Sequence, residues 1–224
     1  MNPISFDAVY DIERSRLTTF FRIFIVIPWA IWATIYGIAA LVVVIVAWFA
    51  LLFTGRYPEG MYNFVAGYLR LSTRVYAYAL LLTDELPSFD AGPEPEYPVR
   101  IDVAAPQERY NRAKTFFKYL LWFPQALIGG YGLALVVQWA AFVSWFRILF
   151  AGRQSITMHE ALVGSLAYLT RSNGFLLLLT EAHPRLLDVP RYEPPPDAPG
   201  LPPATSRAPG GQVPKRTGDQ PPPG

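Results

Sequence analysis

"LLFTGRYPEGM" fills positions 51–61, and "ILFAGRQSITM" fills positions 148–158, an offset of 97. The match runs on without a gap. Gly67 falls on Gly164, Thr73-Arg74 on Thr170-Arg171, and Leu80-Leu81-Leu82-Thr83 on Leu177-Leu178-Leu179-Thr180. Asp84 meets Glu181 and Pro87 meets Pro184. Upstream the offset slips to 96, where Thr19-Phe20-Phe21-Arg22 meets Thr115-Phe116-Phe117-Lys118, and then to 95, where Asp7 meets Asp102. Loop insertions produce such slips. Two unrelated apolar stretches would not also align Gly, Arg, Thr and Pro, so the chain is a tandem duplication. The predicted units are 1–92, 93–188 and a tail, 189–224.

Each copy reads in four parts. First is a short stretch with period-two alternation, "PISFDAV" at 3–9 and "PVRIDVA" at 98–104, the pattern of a half-buried strand. A basic approach follows: Arg14, Arg16 and Arg22, or Arg109, Arg112, Lys114 and Lys118. Third is a long run without charge, Ile23 to Gly55 and Tyr119 to Phe146. Last come the Gly-Arg phrase and a helix of about six turns.

Runs longer than about 18 apolar residues are membrane candidates. The first run has 33 residues and would be about 50 Å long as one helix, against a hydrocarbon core of about 30 Å. Two helices of about 17 residues fit better, with Arg22 and Arg147 snorkelling at the ends. Turn signals stand near both midpoints, Tyr36-Gly37 and Ile128 to Gly132. All 19 Lys and Arg residues lie outside the two runs. Hairpins would keep every positive charge on one side, which the positive-inside rule makes cytoplasmic. A single span per run would carry Arg56 across. The expectation is an all-α membrane protein of two tandem repeats. Each repeat holds a short strand, a transmembrane helical hairpin and an amphipathic interfacial helix, about four transmembrane helices in all. It is multi-pass in the inner (plasma) membrane, with both termini cytoplasmic.

The helix after the Gly-Arg phrase carries an apolar stripe of Met61, Phe64, Val65, Tyr68, Val75, Tyr78 and Leu82. Asn63, Gly67, Arg70 and Arg74 lie on the opposite face. Such a helix either lies in the interface plane, with arginines reaching phosphates, or packs its small residues against a hairpin. The interfacial placement is the expectation. Gly55 and Gly152 are predicted as left-handed C-cap glycines, which puts Arg56 and Arg153 at the headgroup level. Gly55, Arg56, Arg74, Gly152, Arg153 and Arg171 are therefore the candidate headgroup or partner contacts.

Composition narrows the function classes. The chain is 52% hydrophobic and 16% charged, whereas soluble domains average about 25% charged. A net charge of +2 argues against a nucleic-acid partner. Cysteine is absent, which removes disulfides and thiolate chemistry. Histidine occurs only at 159 and 183, which removes a histidine-rich metal cage. No nucleophile elbow, phosphate-binding glycine loop or metalloprotease helix motif is present. His159-Glu160 reads as a surface pair and Asp84-Glu85 as a solvated turn. No catalytic residue, cofactor or metal is expected.

"YPVRIDV" (97–103), "ERYNRAKTFFKYLLWFPQ" (108–125), "LLFTGRYPEGMYNFVAGYLRLSTRVYAYALLLTDELPSF" (51–89) and "ILFAGRQSITM" carry a resemblance. They resemble the bacterial integral-membrane family described as domain of unknown function 4389, over roughly residues 1–188. The second copy departs at Gln154-Ser155, where the first has Tyr57-Pro58. The resemblance implies a membrane location and carries over no activity.

From about Asp188 the chain turns proline- and glycine-rich, a composition of disorder. Such a tail solubilises, or docks in an aromatic groove. The first functional reading is a non-enzymatic scaffold or accessory subunit of a membrane complex. Its partners would be membrane lipids and a protein met through the tail or the hairpins. The alternative is a small parallel-repeat transporter or lipid-handling protein.

Overall fold

The computed structural model describes residues 3–8, 15–125 and 131–183. The predicted tail, 189–224, lies outside the described residues. The element order is β1 (Ile4–Ala8), α1 (Arg16–Thr54), α2 (Glu59–Ala79), β2 (Val99–Val103), α3 (Arg112–Gln125), α4 (Tyr131–Ala151) and α5 (Ile156–Leu176). The protein is mostly helical and built from two repeats.

Both predicted strands form, and they pair with each other. β1 runs antiparallel to β2, in the register Ile4↔Val103, Phe6↔Ile101, Ala8↔Val99. Ile4, Phe6, Ala8, Val99 and Ile101 are buried, while Ser5, Asp7, Arg100 and Asp102 face outward. The central pair, Phe6 and Ile101, are repeat equivalents at the offset of 95. A pseudo-two-fold axis therefore passes between them, perpendicular to the sheet, because both side chains point to the same face.

The same axis recurs below the sheet. Thr73 Oγ1 lies 3.4 Å from Thr170 Oγ1, its own repeat equivalent, where α2 meets α5. Trp48 Nε1 donates to Thr115 O at 3.3 Å, and Trp145 Nε1 donates to Thr19 O at 3.1 Å. These two bonds are one bond written twice, once from each repeat. They set α1 antiparallel to α3 and α4. The strands are exchanged across the axis: β1 packs on α5, and β2 packs on α2. A Cβ at Gly174 would meet Ile4 Cδ1 at 2.0 Å, so this glycine lets β1 approach α5.

Three layers result. The sheet turns a charged face outward, α2 and α5 lie in the middle, and α1 with α3 and α4 form the far layer. Among the described residues, α1 is the one helix long and apolar enough to cross a membrane; Leu135–Ala151 is a shorter apolar stretch.

Two expectations are corrected. The first uncharged run does not fold back at Tyr36-Gly37. α1 is one helix of 39 residues, begun by the Ser15 side chain accepting from Thr18 N and ended at Gly55. Gly37 is a close-approach glycine. A Cβ there would stand 3.0 Å from the Tyr68 ring. Tyr36 packs edge-on against Phe64 and Tyr68 and donates to Phe64 O at 2.9 Å. In the second repeat, residues 128–130 of the predicted turn lie outside the described residues; Tyr131 and Gly132 begin α4. The second correction concerns the interfacial helices. α2 buries Tyr62, Val65, Gly67, Leu69, Thr73, Arg74 and Tyr78, from its apolar and polar faces alike. It lies inside the protein because α1 covers one side and β2 with α5 the others.

Inserting Val at Gly37 should overpack the α1–α2 contact and cost about 1–3 kcal/mol. Gly60→Ala, with nothing within 4 Å of the new methyl, should not destabilise. Thermal unfolding in detergent tells them apart, since a turn at Gly37 would leave no contact for valine to disturb.

Candidate functional site

The two Gly-Arg helix ends, exits in the sense that the chain leaves a helix there, take the expected left-handed glycine conformation. Gly55 and Gly152 both have φ of 69°, in the left-handed region. Their N–H groups donate to Leu51 O and Ile148 O. Arg56 and Arg153 are exposed. Each exit is completed by an arginine of the other repeat. Cβ atoms built at Gly55 and Gly152 would stand 3.5 Å from Arg112 Nε and 3.1 Å from Arg16 Nε. Tyr57 is buried against Tyr62 and Tyr110, which is where Gln154 departs from it.

Arg74 and Arg171 are not at the exits. Arg74 is 2% exposed; it donates to Asp90 O and Gly92 O and pairs with Glu94 at 3.1 Å. Burial pulls its guanidinium below the ordinary arginine value, and Glu94 opposes that. It pins the loop that follows α2 and does not present itself to a headgroup. Arg171 Nε donates to Ile4 O at 3.4 Å, holding β1 to α5.

A duplicated cation site went unread in the sequence. α2 and α5 each end in a turn where a leucine takes the left-handed conformation, Leu81 at φ 66° and Leu178 at φ 65°. Leu82 N bonds to Ala77 O and Leu179 N to Gly174 O, both at 3.0 Å, the closure of a Schellman turn. Glycine usually fills that position. Here both leucines are buried, and core packing holds the conformation.

Into the first turn reaches Arg22, 3% exposed. It donates to Tyr78 O, to Thr83 O at 2.9 Å and to the Asp84 carboxylate, and its guanidinium lies 4.4 Å from the Tyr78 ring centre. Arg22 therefore does not snorkel, and Asp84 is an ion-pair partner rather than part of a solvated turn. Into the second turn reaches Lys118, 5% exposed. Its Nζ donates to Thr180 O at 2.6 Å and lies 4.3 Å from the Phe175 ring centre. The acidic partners also cap the long helices: Asp84 accepts from Ser15 N at 2.9 Å, and Glu181 accepts from Asn111 N at 2.6 Å. The signal was the aligned set Arg22/Lys118, Tyr78/Phe175 and Asp84/Glu181, whose members lie some 60 residues apart within each copy.

The copies differ chemically. Arg22 has a carboxylate directly on it. Lys118 has none within 4.0 Å among the described residues, and Glu181 turns toward Asn111 and, at 4.0 Å, Lys114. Burial pushes the Lys118 ammonium down to about 7, against a raising contribution from Glu181. His159 is fully buried while Glu160 is exposed, so the expected surface pair is split between core and solvent. Among the described residues no group of three His, Cys, Asp or Glu side chains is placed to hold a metal.

Fold and site together define an internally two-fold helical repeat protein with a buried cation at the end of each inner helix. The family model described as "Domain of unknown function (DUF4389)" matches residues 16–90 and again 112–186. The chain belongs to that family and carries two copies of its domain, as the resemblance implied. No curated protein and no solved structure matches the chain.

Asp84→Ala strips the carboxylate from a buried guanidinium and should cost about 3 kcal/mol in denaturant unfolding. Lys114→Ala, whose side chain is 67% exposed, should cost under about 1 kcal/mol.

Lys118 adds a pH signature. Its folded value of about 7 lies below the ordinary 10.5. Between these values the unfolded chain binds more protons, so stability rises with pH across that window and is flat outside it. Lys118→Met should abolish the rise in Tm between about pH 7 and pH 10.

Proposed function

We propose that this protein is a membrane-bound, non-enzymatic scaffold or accessory subunit. One observation carries the reading: the outward side of α1 is predominantly apolar from Leu17 to Phe53. Phe24 is 68% exposed, Ile38 63% and Phe53 76%, and α4 continues the surface with Trp139 at 66% and Phe150 at 75%. Water does not tolerate a continuous apolar face of this length on a soluble monomer. A bilayer covers it.

The geometry favours α1 lying along the membrane over α1 crossing it. Its 39 residues span about 58 Å, against a hydrocarbon core of about 30 Å. Fitting even its uncharged run upright would need a tilt of about 50°, beyond the usual range of up to about 40°. The pseudo-two-fold runs perpendicular to the layers, so α1 and α3–α4 form one apolar floor beneath a charged roof. In this reading the floor is sunk in the cytoplasmic leaflet of the plasma membrane. The sheet, both chain ends and the Lys and Arg residues outside the floor stay on the cytoplasmic side. The four-span arrangement is the competing topology, and it needs the first run to open at Tyr36-Gly37. The scaffold role draws support from the first-repeat site, where Arg22 is engaged in holding the turn and pairing with Asp84. The predicted partners are membrane lipids and a protein bound on the cytoplasmic side.

Single-cysteine labelling decides the topology, because the chain has no native cysteine. Ile38→Cys should stay unlabelled by an impermeant thiol reagent from either side, while Asp102→Cys should label only from the cytoplasmic side. Labelling of Ile38→Cys from outside the cell would restore the hairpins. Release of the protein by alkaline carbonate would end the membrane reading. Native-disc extraction with mass spectrometry should return a stoichiometric protein partner.

A further inference from the structure

A cavity stands at the second copy of the duplicated site. In the first repeat the branched head of Arg22 reaches two carbonyls and the Asp84 carboxylate at once. In the second, the compact head of Lys118 reaches one carbonyl, Thr180 O, and Glu181 is drawn away to Asn111 N. A cavity of about 190 Å³ remains, lined by Lys114, Thr115, Lys118, Phe175, Glu181 and His183. That is well above the roughly 10–15 Å³ one water needs.

The chemistry of the lining is cationic. Lys118 carries three ammonium donors and uses one on Thr180 O. Lys114 stands at the rim, mostly exposed. His183, where the first copy has Leu86, stacks at 5.0 Å on the Phe175 ring that floors the ammonium. The lone carboxylate, Glu181, already accepts from Asn111 N and faces Lys114. Lys118 is also the last charged residue before the uncharged run that begins at Tyr119, so the cavity stands at the edge of the apolar floor.

We propose that this second-repeat cavity binds a phosphate group, held by Lys118 and Lys114 with His183 as a third donor. At the equivalent position of the first repeat, Arg22 is engaged by Thr83 O and the Asp84 carboxylate. Only the source of the phosphate, a lipid headgroup or a free anion, rests on the membrane reading above.

The test uses the full chain, purified and delipidated in maltoside detergent, with thermal stability read against added probe. Phosphatidylglycerol should raise Tm, and diacylglycerol, which lacks the phosphate, should not. Lys118→Gln should weaken the apparent affinity about tenfold, the loss of one charge-assisted hydrogen bond. Lys114→Ala, on the rim, should weaken it without threatening the fold, and Glu181→Gln should tighten it. Inorganic phosphate that protects alone, with the same lysine dependence, identifies a free anion as the ligand. Protection by phosphatidylglycerol that inorganic phosphate does not displace identifies the headgroup. Protection by neither probe, or affinities unchanged in both lysine variants, overturns the site. A protein that stays in solution without detergent would instead remove the membrane reading, and the inorganic-phosphate arm would still judge the cavity.

Discussion

Neither repeat lays its own strand on its own inner helix. β1 lies on α5 and β2 on α2, so each repeat closes the core of the other. The exchange makes a second copy necessary: one copy alone would leave α2 without a strand above it and β1 without a partner. An isolated pair of strands is marginal in water, and a single strand is worse. The contact is the intramolecular equivalent of an isologous dimer, in which a residue meets its own equivalent on the axis. Phe6 with Ile101, and Thr73 with Thr170, are such meetings.

That symmetry explains how the copies could diverge. The turn after each inner helix needs a cation from the long helix to meet its free carbonyls. Arginine does this in one copy and lysine in the other, so both turns keep their left-handed leucine. A guanidinium has five donors in a rigid fork, whereas an ammonium is a point charge. The first copy therefore saturates its site, and the second leaves room. Where the first copy has a structural ion pair, the second has a lysine beside a cavity.

Much of the fold was legible. Period-two alternation located both strands, and the Gly-Arg phrase located the left-handed glycines that end α1 and α4. Pairing between the strands was not legible, because alternation fixes the buried face and not the partner. Gly37 misled, since a glycine that opens a turn and a glycine that admits a tyrosine ring look alike in sequence. Arg74 misled for the reason that Arg22 did. A charge on an apolar helix reads as surface-seeking until the loop that satisfies it is in view, here Asp90 to Glu94. For Arg22 the satisfying groups begin 56 residues away.

The axis also weighs against transport. Parallel-repeat transporters hold their substrate at the repeat interface near the axis, in polar, discontinuous helices. Here the inner helices are continuous at the axis, and the axis itself is filled. Phe6 and Ile101 close it at the sheet, and Thr73 and Thr170 touch beneath them, each 3% exposed or less. A solute would have to part the contact on which both repeats depend. The cavity beside Lys118 lies off the axis, lined by residues of the second repeat. That position suits a site that recognises a ligand from one side rather than passing it between two.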